Sequence, residues 1–218
     1  MDIKFWLERW AEKQIGFHRE RINPQLERFW PMLEPGRADR VFVPLCGKSH
    51  DMRWLLEQGY HVIGNELSPL AVEAFFAESG MVPEIEQAPR YTRWKDDGIE
   101  ILCGDFFNLS PADIGTIDSF YDRASLIALT AAQRAVYARQ LAHLVGKDTA
   151  GLLITLDYNQ LELSGPPFAV SAAEVARLFS DNFDICEVFS FDALEEYPQF
   201  REKGLTALSE HAYILKRR

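Results

Sequence analysis

The stretch VFVPLCGKSHDMRWLLEQGYHVIGNELSP, residues 41–69, contains one pattern twice. Each copy begins with a short apolar run rich in β-branched residues, at 41–47 and at 61–67, which is typical of a buried strand. Apolar residues at helical spacing follow the first run over 48–58, and Gly59 ends that segment. Strand and helix units that repeat in this way predict a parallel sheet.

The remainder of the chain continues the alternation. Ser68 and Pro69 supply an N-cap and a first-turn proline for the next helix, which Gly80 ends. Residues 81–98 carry two prolines and mixed charge and are interpreted as an insertion that can hold a short hairpin. Five further strands are predicted, over 99–105, 116–123, 151–158, 183–191 and 211–217. We therefore expect an α/β fold with a doubly wound, seven-stranded, mostly parallel sheet and one antiparallel strand near its edge.

Composition limits the kind of protein. The 218 residues, 47% of them hydrophobic and free of internal repeats, favour a single domain over 1–218. The net charge of -10 argues against a nucleic-acid partner. The three cysteines form no CxxC pair, and the amino terminus has no signal-peptide or membrane-span pattern, so a cytoplasmic protein is expected. A small-molecule partner, no membrane contact and a monomeric state complete this expectation.

The first strand ends in a turn that suits a nucleoside. A doubly wound sheet binds its ligand at the carboxyl ends of the strands, near the point where strand order reverses. The turn holds a single glycine, Gly47, and no GxGxxG, which disfavours a pyrophosphate. Glu66 ends the second strand, where a carboxylate accepts both hydroxyls of a ribose; the alternative is a solvated or helix-capping carboxylate.

The third strand ends in Asp105 and Phe106, which extend this hypothesis to an adenosine. The Asp105 carboxylate or the neighbouring backbone can meet the exocyclic amine, while an aromatic face stacks on the ring. Phe107 is an alternative to Phe106, and either ring can instead belong to the core. A sulfonium cation also suits a net-acidic protein, so S-adenosylmethionine matches better than a dinucleotide.

Five motifs together carry a family resemblance. They are WLERWAEKQIGFH at 6–18, VFVPLCGKSHDMRWL at 41–55, NELS at 65–68, YDRASLIAL at 121–129 and GPPF at 165–168. In this order they resemble the thiopurine S-methyltransferases, and the match covers most of the chain. The turn PLCGK in place of a glycine-rich loop is the most distinctive piece. Residues 192–210 match less clearly, which leaves their role open.

The resemblance implies a Rossmann-like methyltransferase fold, with S-adenosylmethionine as cofactor. It implies cofactor contacts at Trp10, Leu45, Glu66 and Arg123, besides Gly47 and the backbone at 105–106. Trp6, Trp10 and Phe17 share one helical face, so residues 1–30 are interpreted as a helical lid. The alternative is that these aromatic residues only dock the first helix on the core.

The same resemblance implies methyl transfer to thiopurines and to aromatic or heterocyclic thiols, and we add selenium or tellurium oxyanions as candidate acceptors. Arg123 and Asp122 are the predicted catalytic residues, and the Arg123 cation would favour a thiolate acceptor. The alternative is a local ion pair between the two. Phe17, His18, Pro167 and Phe168 are the predicted acceptor-binding residues.

Three rival functions stay open at this point. A thiol, thiocyanate or halide methyltransferase would share the cofactor site and differ in the acceptor pocket. A nicotinamide-dependent oxidoreductase is disfavoured by the missing phosphate loop. A non-catalytic adenosylmethionine-binding module would bind the cofactor without turnover. The five histidines show no metal-ligand spacing, so no metal site is predicted.

Overall fold

The computed structural model describes residues 3–16 and 18–218. The strands of this part are β1 (Arg40–Val43), β2 (His61–Glu66), β3 (Glu84–Gln87), β4 (Thr92–Asp96), β5 (Ile99–Cys103), β6 (Ser119–Arg123), β7 (Ala150–Asp157), β8 (Phe183–Asp192) and β9 (Ser209–Arg217). Its α-helices are α1 (Ile3–Ala11), α2 (Pro24–Phe29), α3 (His50–Glu57), α4 (Pro69–Ser79), α5 (Pro111–Ile114), α6 (Ala131–Leu144), α7 (Ala172–Phe179) and α8 (Pro198–Glu202).

All the described strands join one sheet, in the order β3-β4-β5-β2-β1-β6-β7-β9-β8. The five neighbours β5, β2, β1, β6 and β7 run parallel. From β1 the chain moves outward through β2 to β5 and then crosses back to β6, so the strand order reverses between β1 and β6. A doubly wound sheet binds ligands at such a reversal, beyond the carboxyl ends of its strands.

The seven strands that the sequence predicts are all present, and the alternating α/β architecture is confirmed. The count of seven is wrong, because β3 and β4 form an antiparallel hairpin that extends the sheet beyond β5. The hairpin lies within 81–98, where the sequence allowed for one; β3 is exposed throughout and β4 is mostly half-buried, so neither strand shows a clear apolar alternation. The antiparallel strand predicted near the edge is β9, and β4 is a second one.

Each face of the sheet carries its own core. Phe42 belongs to one cluster, which includes buried side chains of α6 and α7. Val41 and Val43, its neighbours in β1, belong to the other cluster, with side chains of α2, α3 and α4. Successive strand residues point to opposite faces, so a wholly apolar strand must be covered on both sides. The continuous apolar runs of the sequence therefore required helices above and below the sheet.

Local signals set where the helices begin. Ser49 caps α3, and its hydroxyl accepts a hydrogen bond from the Asp51 N–H at 3.2 Å. Ser171 caps α7 in the same way, through the Glu174 N–H. Ser68 occupies the predicted N-cap position of α4, but its side chain makes no capping hydrogen bond.

The contact between β6 and β7 leaves no room for a side chain at Gly151. A Cβ atom there would lie 2.3 Å from the buried Phe120 ring. We predict that Gly151→Ala lowers the free energy of unfolding by about 1–3 kcal/mol through overpacking, measured by denaturant titration. Gly146→Ala is the control, because its Cβ would meet only Thr149 Oγ1 at 3.8 Å. Equal stability of the two variants would contradict this packing.

Candidate active site

A cavity of about 360 Å³ lies beyond the carboxyl ends of the parallel strands. The turn after β1, the ends of β2 and β6, and the far half of β7 form its floor. Residues of α1 and of the segment that follows it cover one side, and residues 197–203 close another. The cavity therefore occupies the position where strand order reverses, as the sequence predicts.

The turn after β1 has an unusual backbone. Leu45 and Gly47 both adopt positive φ angles, of 46° and 54°, and both line the cavity. Positive φ is strained for leucine, and such strain persists only where the surroundings impose it. The Cys46 N–H donates to the Asn65 carbonyl at 2.9 Å, and the Ser125 hydroxyl donates to the Pro44 carbonyl at 2.8 Å. Strand β2 and the loop after β6 thus both hold the turn.

The carboxylate of Glu66 ties this turn to the next unit of the sheet. One of its oxygens accepts from the Gly47 N–H at 2.9 Å, and the other accepts from the Ser68 N–H at 2.8 Å. Glu66 is 7% exposed and lines the cavity. Burial raises its pKa, and the N–H donors of Ser68, Gly47 and Leu67 oppose that shift. Each oxygen has a second lone pair, so the group retains the acceptors that a ribose diol needs.

Trp10 lies over the same turn. It is buried, it lines the cavity, and its indole would lie 3.4 Å from a Cβ atom at Gly47. Trp6, one turn earlier in α1, also lines the cavity. The amino-terminal helix therefore covers the ligand side of the sheet, as a lid would. The cofactor-contact role of Trp10 and the lid role of residues 1–30 stay predictions.

Arg123 provides the positive charge of the cavity floor. Its side chain is 14% exposed and forms an ion pair with Asp51 at 3.3 Å. Asp51 also accepts from the Tyr121 hydroxyl at 3.0 Å and from the Asn23 N–H at 2.8 Å, so its carboxylate is fixed. Burial alone would lower the pKa of Arg123, but the Asp51 charge raises it above its ordinary value. The guanidinium is therefore charged, and Asp51 holds it at the edge of the cavity.

Asp122 does not line the cavity, so the structure gives its predicted catalytic role no support. Successive residues of a strand face opposite sides, and Asp122 points away from Arg123 into the core. Its carboxylate is fully buried and accepts from the Tyr137 hydroxyl at 2.6 Å. The alternative, a local ion pair between Asp122 and Arg123, is not formed, because Arg123 pairs with Asp51.

Phe106 does not stack on a ligand, as one reading of the sequence predicts. Its ring is fully buried, parallel to Tyr137 at a centroid distance of 4.9 Å and to Phe42 at 6.4 Å. Phe106 therefore packs within the core and does not line the cavity. Asp105 caps the short 3₁₀ helix that follows, through the Phe107 N–H at 3.1 Å, and it does not line the cavity. Contact of the 105–106 backbone with adenine stays a prediction.

Two of the four predicted acceptor-binding residues line the cavity. His18 and Pro167 line the cavity, as does Pro166. Phe168 does not line it; its ring lies beside the Arg134 guanidinium, 5.9 Å from the ring centroid, and its contact with the acceptor stays a prediction. Phe17 lies outside the described residues. Burial and the neighbouring Lys48 charge lower the pKa of His18 below its ordinary value.

Sequence analysis missed the wall formed by the carboxyl-terminal part of the chain. Glu210 and Tyr197 are both buried, line the cavity, and share a short hydrogen bond in which the tyrosine hydroxyl donates. The Arg19 guanidinium lies over the Tyr197 ring at 4.0 Å. Phe200 completes this wall. Glu210 lies one residue before the start of the predicted last strand, so it was not considered. No sequence motif pointed to Tyr197 or Phe200.

Comparison with known proteins identifies the family. The family model described as "Thiopurine S-methyltransferase (TPMT)" matches residues 1–218. The chain belongs to the thiopurine S-methyltransferase family. A protein of Nitrosospira multiformis named thiopurine S-methyltransferase is 49% identical over 218 residues, covering 100% of this chain and 99% of its own length. One of Methylococcus capsulatus with the same name is 46% identical over 217 residues, covering 99% and 98%.

Solved structures of other methyltransferases share the fold. A Burkholderia thailandensis 1,6-didemethyltoxoflavin-N1-methyltransferase with bound S-adenosylhomocysteine has a TM-score of 0.64 at 14% identity, over 99% of this chain and 86% of that one. A methyltransferase of Anabaena variabilis also scores 0.64, at 16% identity, over 99% and 95%. Membership of the thiopurine S-methyltransferase family makes the protein a methyltransferase whose cofactor is S-adenosylmethionine. No helix in the described ranges has the length and apolar character of a membrane span.

The buried Asp122 is expected to make the stability of the protein depend on pH. Burial raises the pKa of Asp122 from 3.8 to about 6, although the Tyr137 hydroxyl opposes the shift. The folded state therefore binds more protons than the unfolded state between these values, so stability falls as pH rises from about 4 to about 6. We predict that Asp122→Asn, which keeps an acceptor for Tyr137, gains stability relative to wild type over that range by up to about 3 kcal/mol.

Denaturant titrations of wild type and Asp122→Asn at several pH values would measure this difference. Asp181→Asn is the matched control, because Asp181 is exposed. A stability difference between wild type and Asp122→Asn that does not change between pH 4 and pH 7 would contradict the assignment.

Proposed function

We propose that the protein transfers the methyl group of S-adenosylmethionine to small aromatic or heterocyclic thiols, thiopurines among them, by in-line attack of a thiolate. One observation carries the proposal: the Glu66 carboxylate and the Arg123 guanidinium face the same cavity. The carboxylate suits a ribose, and the cation suits an anionic acceptor. The curated relatives named thiopurine S-methyltransferase support this acceptor class.

The cofactor end of the cavity fits an adenosine without phosphates. Glu66 would accept the ribose hydroxyls while it continues to hold the turn through the Gly47 N–H. Leu45 and Trp10 would enclose the nucleoside from opposite sides. S-adenosylmethionine supplies, when bound, a methyl group activated by the sulfonium charge. The residues of the protein align the acceptor with this group and exclude water from it.

Arg123 would act on the acceptor as a charge. A cation beside a thiol lowers its pKa and stabilises the thiolate, which is the nucleophilic form. The guanidinium does not serve as a base, so the thiol proton passes to water as the sulfur comes to lie beside Arg123. The sulfur then forms its bond to the methyl carbon as the bond from that carbon to the sulfonium sulfur breaks. Asp51 is a positioning residue, because it contacts Arg123 from beneath the cavity.

The walls at the acceptor end favour a flat apolar ring over a small inorganic anion. Ile127 and Pro167 lie on one side, and Tyr197 and Phe200 on another. Selenium and tellurium oxyanions, thiocyanate and halides would use the Arg123 charge but leave these walls without contacts. Cys46 also lines the cavity, but burial raises its pKa well above the ordinary value, so it stays a thiol and does not compete as a nucleophile.

The charge role of Arg123 predicts a dependence on the acceptor thiol. Arg123→Ala should lower kcat/KM for a weakly acidic aliphatic thiol by roughly 10- to 100-fold, the value of one charged hydrogen bond. The loss should be smaller for 6-mercaptopurine and other acidic heterocyclic thiols, which ionise without help. Transfer of a labelled methyl group measures both, with exposed Arg139→Ala as control. Equal losses across thiols of different acidity would rule out thiolate stabilisation.

The ribose assignment can be separated from the turn that Glu66 also holds. We expect Glu66→Gln to weaken binding of S-adenosylhomocysteine by roughly 1–3 kcal/mol in calorimetry, with exposed Glu73→Gln as control. An S-adenosylhomocysteine analogue that lacks the two ribose hydroxyls tests the direct contact. Loss of those hydroxyls should reduce the binding free energy of wild type more than that of Glu66→Gln. Additive effects of the two changes would show that Glu66 acts on the turn alone.

The same assays distinguish the rival functions. Cofactor binding without transfer to any thiol, oxyanion, thiocyanate or halide would identify a non-catalytic binding module. Transfer to small anions in preference to heterocyclic thiols would identify the rival methyltransferase. The monomeric state and the cytoplasmic location stay predictions.

A further inference from the structure

A group of metal-ligating side chains lies at the edge of the cavity, where His18 lines it and the other two members do not. His18 belongs to the segment that covers the cavity between α1 and α2, and His50 is the first residue of α3. Together with Glu20 they form the only set of three histidine, cysteine or acidic residues that is spaced for a metal ion within 3–16 and 18–218. The mechanism proposed above uses none of the three as a ligand.

The distances within this group suit a metal ion. His18 Nε2 lies 3.9 Å from one oxygen of Glu20, and His50 Nε2 lies 4.0 Å from the other. The two imidazole centroids are 5.3 Å apart, and the three ligand atoms all lie within 4.8 Å of one another. Atoms bound to one tetrahedral metal at about 2.0–2.1 Å lie a little over 3 Å apart. A contraction of less than about 2 Å would therefore close the site around an ion.

His18 supplies an independent observation. Its side chain is 7% exposed, and its Nε2 atom is buried without a hydrogen-bond partner. A buried polar atom without a partner costs free energy, so its retention calls for an explanation. The atom faces Glu20 and His50, the two other members of the group. A metal ion bound between them would provide the missing partner.

We propose that His18, His50 and Glu20 bind one Zn²⁺ ion, which fastens the covering segment to the start of α3. Two imidazoles and one carboxylate are a known zinc ligand set and leave a fourth position for water. Glu20 is 88% exposed, so that position faces solvent, and neither Glu20 nor His50 lines the cavity. The proposed ion therefore has a structural role and takes no part in methyl transfer. The nearest other charges, Lys48 and Glu78, form their own ion pair at 2.6 Å.

A bound ion would link the segment that covers the cavity to the turn after β1. His18 and Arg19 line the cavity from the covering segment, and α3 begins directly after the turn that holds Gly47. A metal bond between His18 and His50 would join the cover to that turn. Because the ion binds the folded arrangement and brings distant ligands together, it should stabilise the closed segment.

Metal titration of the full-length protein tests the proposal. After treatment with a chelator, wild type should bind one equivalent of Zn²⁺ in competition with a chromophoric chelator. His18→Gln, His50→Gln and Glu20→Gln should each weaken binding by more than the roughly 10- to 100-fold that loss of an outer partner costs. His61→Gln is the matched control, because His61 is exposed at the start of β2. Cys186→Ser controls for an exposed thiol.

Two further readouts decide between this site and a chance binding surface. Co²⁺ in place of Zn²⁺ should give the visible bands of a site with nitrogen and oxygen ligands, without thiolate charge-transfer bands. Zn²⁺ should also slow amide hydrogen exchange in residues 12–23 of wild type and leave it unchanged in His50→Gln. Absent binding, equal affinity of wild type and the ligand variants, or thiolate bands lost in Cys186→Ser would each overturn the proposal. Thermal unfolding of the metal-free variants at the wild-type temperature confirms that they are folded.

Discussion

The site depends on one bridge, in which the Glu66 carboxylate accepts from the Gly47 N–H and the Ser68 N–H. These donors belong to the turn before α3 and to the start of α4, so one buried anion aligns two successive strand–helix units. A buried carboxylate is costly unless charged hydrogen bonds stabilise it, and here the two donors are fixed backbone groups. The shape of the cavity floor follows from that requirement.

A second buried charge, Asp51, organises the opposite side of the cavity. Its carboxylate joins the Asn23 N–H before α2, the Tyr121 hydroxyl of β6 and the Arg123 guanidinium. Removal of one partner from such a group leaves an uncompensated buried charge, which makes the arrangement all or none. Arg123 is therefore held in one orientation before any ligand arrives. Catalysis by alignment benefits from such preorganisation, because no side chain must reorder during the reaction.

The sequence predicts the strand-end residues well and their surroundings poorly. Gly47, Glu66 and Arg123 follow from the rule that ligands bind where parallel strands end, and all three line the cavity. Asp122 and Phe106 follow the same rule and fail, because the side that a residue faces depends on strand register and on the final turn. Asp51 was not a candidate, since nothing in a helix sequence shows that its first turn lies beneath a distant arginine.

The sequence by itself determined the alternating α/β fold, the single-glycine turn and the family, because each rests on local patterns and motif order. Only the tertiary structure decided that the hairpin allowed for within 81–98 joins the sheet through β5, and that Tyr197 and Glu210 form a wall of the cavity. It alone brought His18 and His50 together. Contacts between residues far apart in the chain depend on how the sheet and its covering segments pack, and no local spacing records that.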